Sequence, residues 1–112
     1  MDKSSASLMS GVPELMILQL LARNEMYGYE LARTIRTLTT DAVSVGESVL
    51  YPALHALERR GLVRGRRRAV AGRTRVYYSI TPKGARRLAH LASHWRRISE
   101  GVEAVMRGAR HA

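Results

Sequence analysis

Ser44-Val-Gly-Glu-Ser-Val-Leu-Tyr-Pro-Ala-Leu-His-Ala-Leu-Glu-Arg-Arg-Gly61 decides how the rest of the chain is read. Leu50, Leu54 and Leu57 recur at spacings of four and three, so they share one face of an α-helix that suits a small core. Ser48, Tyr51, Pro52, His55 and Arg59 make a second stripe on the opposite face, of groups that donate, accept or stack. A helix with two such faces serves a core and a partner, and this partner face suits DNA. Pro52 lacks an amide donor and crowds the preceding turn, at ~3 kcal/mol in a helix interior. The regular helix therefore starts near Glu47 or Ser48, or it kinks at Pro52. Ser44 with Glu47 has the spacing of a capping box. At the other end, Arg59 and Arg60 favour the negative end of the helix dipole, and Gly61 supplies a left-handed stop.

Upstream, residues 1–10 are polar and small, as in a loose arm. From Val12 the chain is apolar on nearly every side of a helix, through Leu15, Met16, Ile17, Leu18, Leu20 and Leu21, with Glu14 and Gln19 as interruptions. Such a helix must be covered all round, so one face is expected to meet its own domain and another a partner subunit. Asn24 fits its end, because asparagine tolerates the left-handed conformation. Tyr27-Gly28-Tyr29-Glu30 leads into a second helix, with Leu31, Ile35 and Leu38 on one face and the turn formers Thr39-Thr40-Asp41 ending it. Two helices joined by a short turn, the second with an exposed polar stripe, form the helix-turn-helix pattern.

Downstream the period changes. Leu62-Val63-Arg64 opens an arginine-rich strand, Ala69 to Arg73 reads as a turn, and Thr74 to Ile80 as a second strand, together a hairpin or wing. Tyr77 and Tyr78 alternate across that strand, one inward and one outward. The stretch from Arg59 to Arg75 holds eight arginines and no acidic residue. A solvated face usually intersperses its signs, so Arg59, Arg66, Arg68, Arg73 and Arg75 are assigned to phosphate contact. Thr81-Pro82 is a helix start, and that helix runs to about Met106. Leu88, Leu91, Trp95, Ile98, Val102 and Val105 follow at spacings of three, four, three, four and three, a heptad seam. The seam is expected to pair with its copy in a second subunit, together with Leu15 and Leu18 of the first helix.

The fold expected is mainly α with a small β-hairpin: an arm at 1–10, a winged helix-turn-helix over 11–80, a C-terminal dimerisation helix over 81–107 and a tail at 108–112. Composition agrees. The formal net charge is +10, from 19 Lys+Arg against 9 Asp+Glu, and only Lys3 and Lys83 are lysines. Arginine's planar guanidinium suits bidentate contact with phosphate or guanine, which makes a polyanion the expected partner. The absence of cysteine excludes disulfides and thiolate chemistry. The run from Leu15 to Ala22 is too short to span a bilayer, so a cytoplasmic location is expected. His90 and His94 lie one helical turn apart but lack a third ligand in the sequence, and read as a surface pair, with no metal or cofactor expected. No nucleophile motif or phosphate-cradling loop suggests an enzyme. The competing reading is a basic winged-helix module that binds nucleic acid non-specifically, or an architectural dimer without an effector; six dispersed aromatics supply no stacking platform for single strands.

The ordered set Gly11-Val12-Pro13-Glu14-Leu15, Tyr27-Gly28-Tyr29-Glu30-Leu31, Leu50-Tyr51-Pro52-Ala53-Leu54, Gly61-Leu62-Val63, Tyr77-Tyr78 and Ile80-Thr81-Pro82-Lys83-Gly84 resembles the PadR family of transcriptional regulators, in its short form with one C-terminal helix. The resemblance implies a homodimer, usually a repressor, on a near-palindromic double-stranded operator, with a planar aromatic or phenolic effector in several members. It implies DNA contact from Tyr51, and from Arg73 and Arg75 in the wing. Trp95 stands where some members stack an aromatic ligand, with Leu91 and Met16 beside it; dimer-core packing is the plainer role for the same ring. Many members carry a hydroxyl residue where this chain has Val49.

Overall fold

The structure, a computed structural model, describes the backbone of residues 3–108 and the side chains of residues 11–108. The elements are α1 (Lys3–Leu21), β1 (Met26–Tyr27), α2 (Gly28–Leu38), α3 (Glu47–Arg59), β2 (Val63–Val70), β3 (Arg73–Ile80) and α4 (Pro82–Met106). The expected arm at 1–10 is therefore helical from Lys3, in a segment where Ala6, Leu8 and Met9 are good helix formers. Met1 and Asp2, and the tail from residue 109, lie outside the described residues.

The core takes Ile17 and Leu18 from α1, Leu31 and Ile35 from α2, and Leu50, Leu54 and Leu57 from α3; Leu62, Val63 and Tyr78 close it below the sheet. Each such side chain contributes about 1.5–3 kcal/mol on leaving water. All three α3 leucines point inward, as their spacing predicts. Leu18 has no exposed surface, which corrects its assignment to dimerisation: the all-round apolar helix spends that position inside its own domain.

The expected hairpin is part of a three-stranded antiparallel sheet ordered β1-β3-β2. Met26 and Tyr27 pair with Tyr78 and Tyr77, a two-residue strand too short to show any period. Asn24 does not adopt a positive φ, and α1 ends at Leu21 instead. The capping box expected at α3 is also absent: Gly46 is the N-cap and Ser44 lies outside the helix. The motif's Glu-to-amide half occurs at α2, where the Tyr27 amide donates to Glu30 Oε1 at 3.1 Å.

Both members of the helix-turn-helix end in Schellman motifs. In α3 the Leu62 amide donates to the Leu57 carbonyl at 2.9 Å and the Gly61 amide to Glu58 at 3.0 Å, around a left-handed Gly61 with φ +74°. In α2 the Asp41 amide donates to Arg36 at 2.8 Å and Thr40 takes the left-handed place, φ 53°, without glycine's freedom. Pro52 is inside a continuous α3, where the amide it lacks would have donated to the carbonyl of Ser48, a residue on the exposed face whose carbonyl is left within reach of solvent. The radius of gyration is 16.2 Å, against roughly 13 Å for a compact domain of this length. The excess reflects the 25-residue α4, which extends past the headpiece.

Candidate nucleic-acid interface

The face of α3 opposite its leucines is open. Ser48, Pro52, His55 and Arg59 are exposed, and Tyr51 is half-buried. Val49 stands with them at 47% exposure, an apolar side chain on the first turns of the helix. It is a candidate that the stripe reading missed, although its place outside the Leu50, Leu54, Leu57 spacing marks it. The N-terminal turns of a recognition helix are the part that reaches base edges, and a valine methyl suits a thymine methyl.

Tyr51 is held from behind by α2. A Cβ built on Gly28 would lie 2.5 Å from the Tyr51 hydroxyl and 2.7 Å from its ring, so glycine is what lets the ring lie against the start of α2. Next to it, a cleft of about 330 Å³ separates α3 from the wing, lined by Tyr51 and His55 on one side and by Thr74, Arg75 and Val76 of β3 on the other, with Tyr78 also in the lining. Burial pushes the Tyr78 hydroxyl above its ordinary range, assisted by Glu58 and Tyr51, so this ring stays neutral. The cleft thus joins three of the predicted site residues, Tyr51, His55 and Arg75, and takes no lining from β2.

The wing has two unlike faces. Register pairs Val63 with Ile80 and Gly65 with Tyr78, and this face covers the core; Arg67 and Val76 continue it outward. The opposite face carries Arg64, Arg66 and Arg68 of β2 with Arg73, Arg75 and Tyr77 of β3. Tyr77 lies outward and Tyr78 inward, as their alternation predicts. The strands meet in a two-residue turn, Ala71-Gly72, with φ 51° and 76°, the type I′ geometry that matches strand twist.

Arginines of the outer face are engaged by aromatic rings and one carboxylate. The Arg68 guanidinium lies 4.4 Å from the centre of the Tyr77 ring, and Arg75 lies 4.4 Å from that of Tyr27. The Tyr77 hydroxyl raises Arg75 further above its ordinary range. Tyr27 and Tyr77 meet edge to face at 5.4 Å. Glu25 pairs with Arg66 at 3.7 Å and also with Arg68. Tyr27 is a strand residue and Tyr29, at the start of α2, is 60% exposed.

α4 is locked to the end of α3. Thr81 caps it by accepting from the Gly84 amide at 3.0 Å while its hydroxyl donates to the Gly61 carbonyl at 2.7 Å. Lys83 Nζ donates to the Arg60 carbonyl at 2.8 Å. A Cβ on Gly84 would lie 2.0 Å from the Leu62 carbonyl oxygen. Glu14 of α1, largely buried, pairs with Arg60 at 3.4 Å and Arg87 at 3.0 Å, so one carboxylate ties three helices.

Along the predicted seam, Leu88 and Leu91 pack against the domain's own core. Trp95, Val102 and Val105 are exposed, at 42%, 55% and 76%, and Ile98 is partly so. The first heptad of the seam is thus committed to the headpiece, and the outer part is left for a partner. Trp95 also borders a groove of about 520 Å³ between α1, α2 and α4, lined in addition by Leu15, Met16, Leu20, Leu38 and Ala92. Of the residues assigned to an effector, Met16 and Trp95 come together there; Leu91 instead borders a hollow of about 40 Å³ on the other side of the indole. Among the described residues, no helix is long and apolar enough to cross a membrane.

Residues 17–90 match the family described as "Transcriptional regulator PadR-like family". A transcriptional regulator of Mycobacterium tuberculosis is 36% identical over 97 residues, covering 87% of this chain and 85% of that one. Among solved structures, a transcriptional regulator from Clostridium thermocellum superposes with a TM-score of 0.79 at 28% identity, over 87% of this chain and 95% of that one. A PadR-like transcriptional regulator from Bacillus cereus gives 0.75 at 31% identity, over 89% and 96%. These similar proteins are regulators of transcription.

Proposed function

Because the chain belongs to the PadR-like family of transcriptional regulators, we propose that it acts in the cytoplasm as a homodimeric repressor on a near-palindromic DNA operator, released by a planar aromatic or phenolic small molecule. The observation that carries the DNA reading is the open face of α3 beside a cleft whose far wall is the arginine-bearing β3. Ser48, Val49, Tyr51, Pro52 and His55 take the major groove, where side chains near a recognition helix's N-terminus read base edges. Arg73 and Arg75, at the free end of the wing, take phosphates, and Arg59 does so at the end of α3. Dimerisation uses Leu15, Trp95, Ile98, Val102 and Val105: an exposed apolar seam on a 25-residue helix is the surface a second copy buries. The groove beside Trp95 has a volume and an apolar lining that suit a ring-sized ligand.

Fluorescence anisotropy with the intergenic duplex next to the protein's own gene and with a random duplex of equal length tests this reading. Specific binding tighter by ~10³-fold or more is expected at physiological salt. Equal affinity for the two duplexes sinks it.

A further inference from the structure

Glu25 stands immediately before β1, on the face of the sheet that bears the wing arginines. Its carboxylate pairs with both Arg66 and Arg68, and the Arg68 guanidinium is also seated on Tyr77. Among the described residues, Arg64, Arg67 and Arg73 make no ion pair. The two paired arginines belong to β2, which gives no residue to the cleft between α3 and the wing; they share the outer face of the sheet with Arg73 and Arg75, of which Arg75 also lines the cleft. A duplex seated in that cleft meets β3 first. A duplex approaching the outer face of the wing away from the cleft meets Arg66 and Arg68 on β2 along with Arg73 and Arg75 on β3.

Building on the DNA-binding reading above, we propose that Glu25 is a specificity-determining counter-charge: it occupies Arg66 and Arg68 and so withholds two cations from the phosphate contacts that any duplex offers. Non-specific binding is supplied almost wholly by such contacts, each adding about 0.9 to the slope of log K against log salt concentration. The carboxylate lowers affinity for random DNA and leaves the operator complex, seated in the cleft, little changed. Its product is a larger specific-to-random ratio at constant reading contacts, which is the quantity that matters against a genome of competing sites. This removes Arg66 and Arg68 from the set of residues that hold the operator.

The test is Glu25→Gln in the full chain, with affinities for a random duplex and for the promoter duplex measured across 50–200 mM salt. The expected result is a steeper random-duplex slope, by roughly 1–2, and several-fold tighter random binding at the low-salt end. Promoter binding should change less, and thermal unfolding should show that the variant is folded. The triple variant Glu25→Gln, Arg66→Gln, Arg68→Gln should return to the wild-type slope, which assigns the gain to those two arginines. Unchanged random-duplex binding in Glu25→Gln overturns the proposal. So does an equal loss on both duplexes, which makes Glu25 a support of the wing only. The regulator reading fails separately, if the wild type does not distinguish promoter from random DNA.

Discussion

Adding one methyl group at Gly28 should damage DNA reading without touching DNA. Gly28 is buried as the first residue of α2, and it is absent from the positive-φ residues, so alanine can adopt its backbone. The new Cβ would sit 2.5 Å from the Tyr51 hydroxyl, roughly 1 Å inside ordinary van der Waals separation. The obstacle is a side chain rather than backbone, so the ring swings away at an off-rotamer cost of about 0.5–1.5 kcal/mol. That cost is offset in part by the ~0.5–1 kcal/mol that alanine gains over glycine in a helix. Thermal unfolding should therefore move by only a few degrees. A hydroxyl displaced by about 1 Å loses its hydrogen-bond geometry, and a good base contact discriminates by about 1–3 kcal/mol. Gly28→Ala should bind the promoter duplex ~5- to 150-fold more weakly and a random duplex with unchanged affinity and salt slope. Gly28→Ala with wild-type preference between the two duplexes would refute the claim that Tyr51 reads sequence from the position α2 imposes.

Arg73→Ala and Arg75→Ala should each weaken binding to all duplexes alike and reduce the salt slope by about 1, measured by anisotropy across a salt series; selective loss on one sequence would make them base readers. Ala71→Asn should raise stability by up to ~1 kcal/mol, since asparagine tolerates the left-handed position of a type I′ turn and alanine does not, and a melting temperature that falls would contradict the turn assignment. Thr40→Gly should stabilise on the same ground at the end of α2, at φ 53°. Trp95 is the only tryptophan, so planar aromatic compounds that enter the groove should quench its fluorescence saturably; a panel that produces no saturable quenching leaves the indole to packing alone.

Periodic features were legible because a single chemical rule places each of them. The leucines of α3, and Leu31 and Ile35 of α2, follow from helix spacing, while Leu38, expected on the same face, is 66% exposed at the helix end. The Thr81-Pro82 start, the Gly61 stop and the Tyr77/Tyr78 alternation follow from local backbone chemistry. What stayed hidden depends on partners distant in sequence. β1 is two residues that become a strand only because β3 arrives 50 positions later, and Gly46 rather than Ser44 is the N-cap of α3, without any side-chain cap bond that local sequence could announce. Leu18 and Leu15 look alike in a helix apolar on all sides, and only the placement of α2 and α3 decides which one is enclosed. In the candidate site, the arginine run was plain, yet its sorting into two sheet faces needed the register, and Glu25 was invisible as a partner 41 and 43 positions upstream.

Glu14 gives the headpiece a mechanical character. With Arg60 at the end of α3 and Arg87 on α4 both drawn to one carboxylate, the two helices are braced against each other through α1. A tilt of α4 would be passed toward α3 through this brace and through the bonds that Thr81 and Lys83 make to the end of α3. Under the DNA-binding dimer proposed above, where neighbouring base pairs are stepped by only ~3.4 Å, a few ångströms of play at Trp95 or Val102 would amount to a change of tooth in the gearing between protein and duplex.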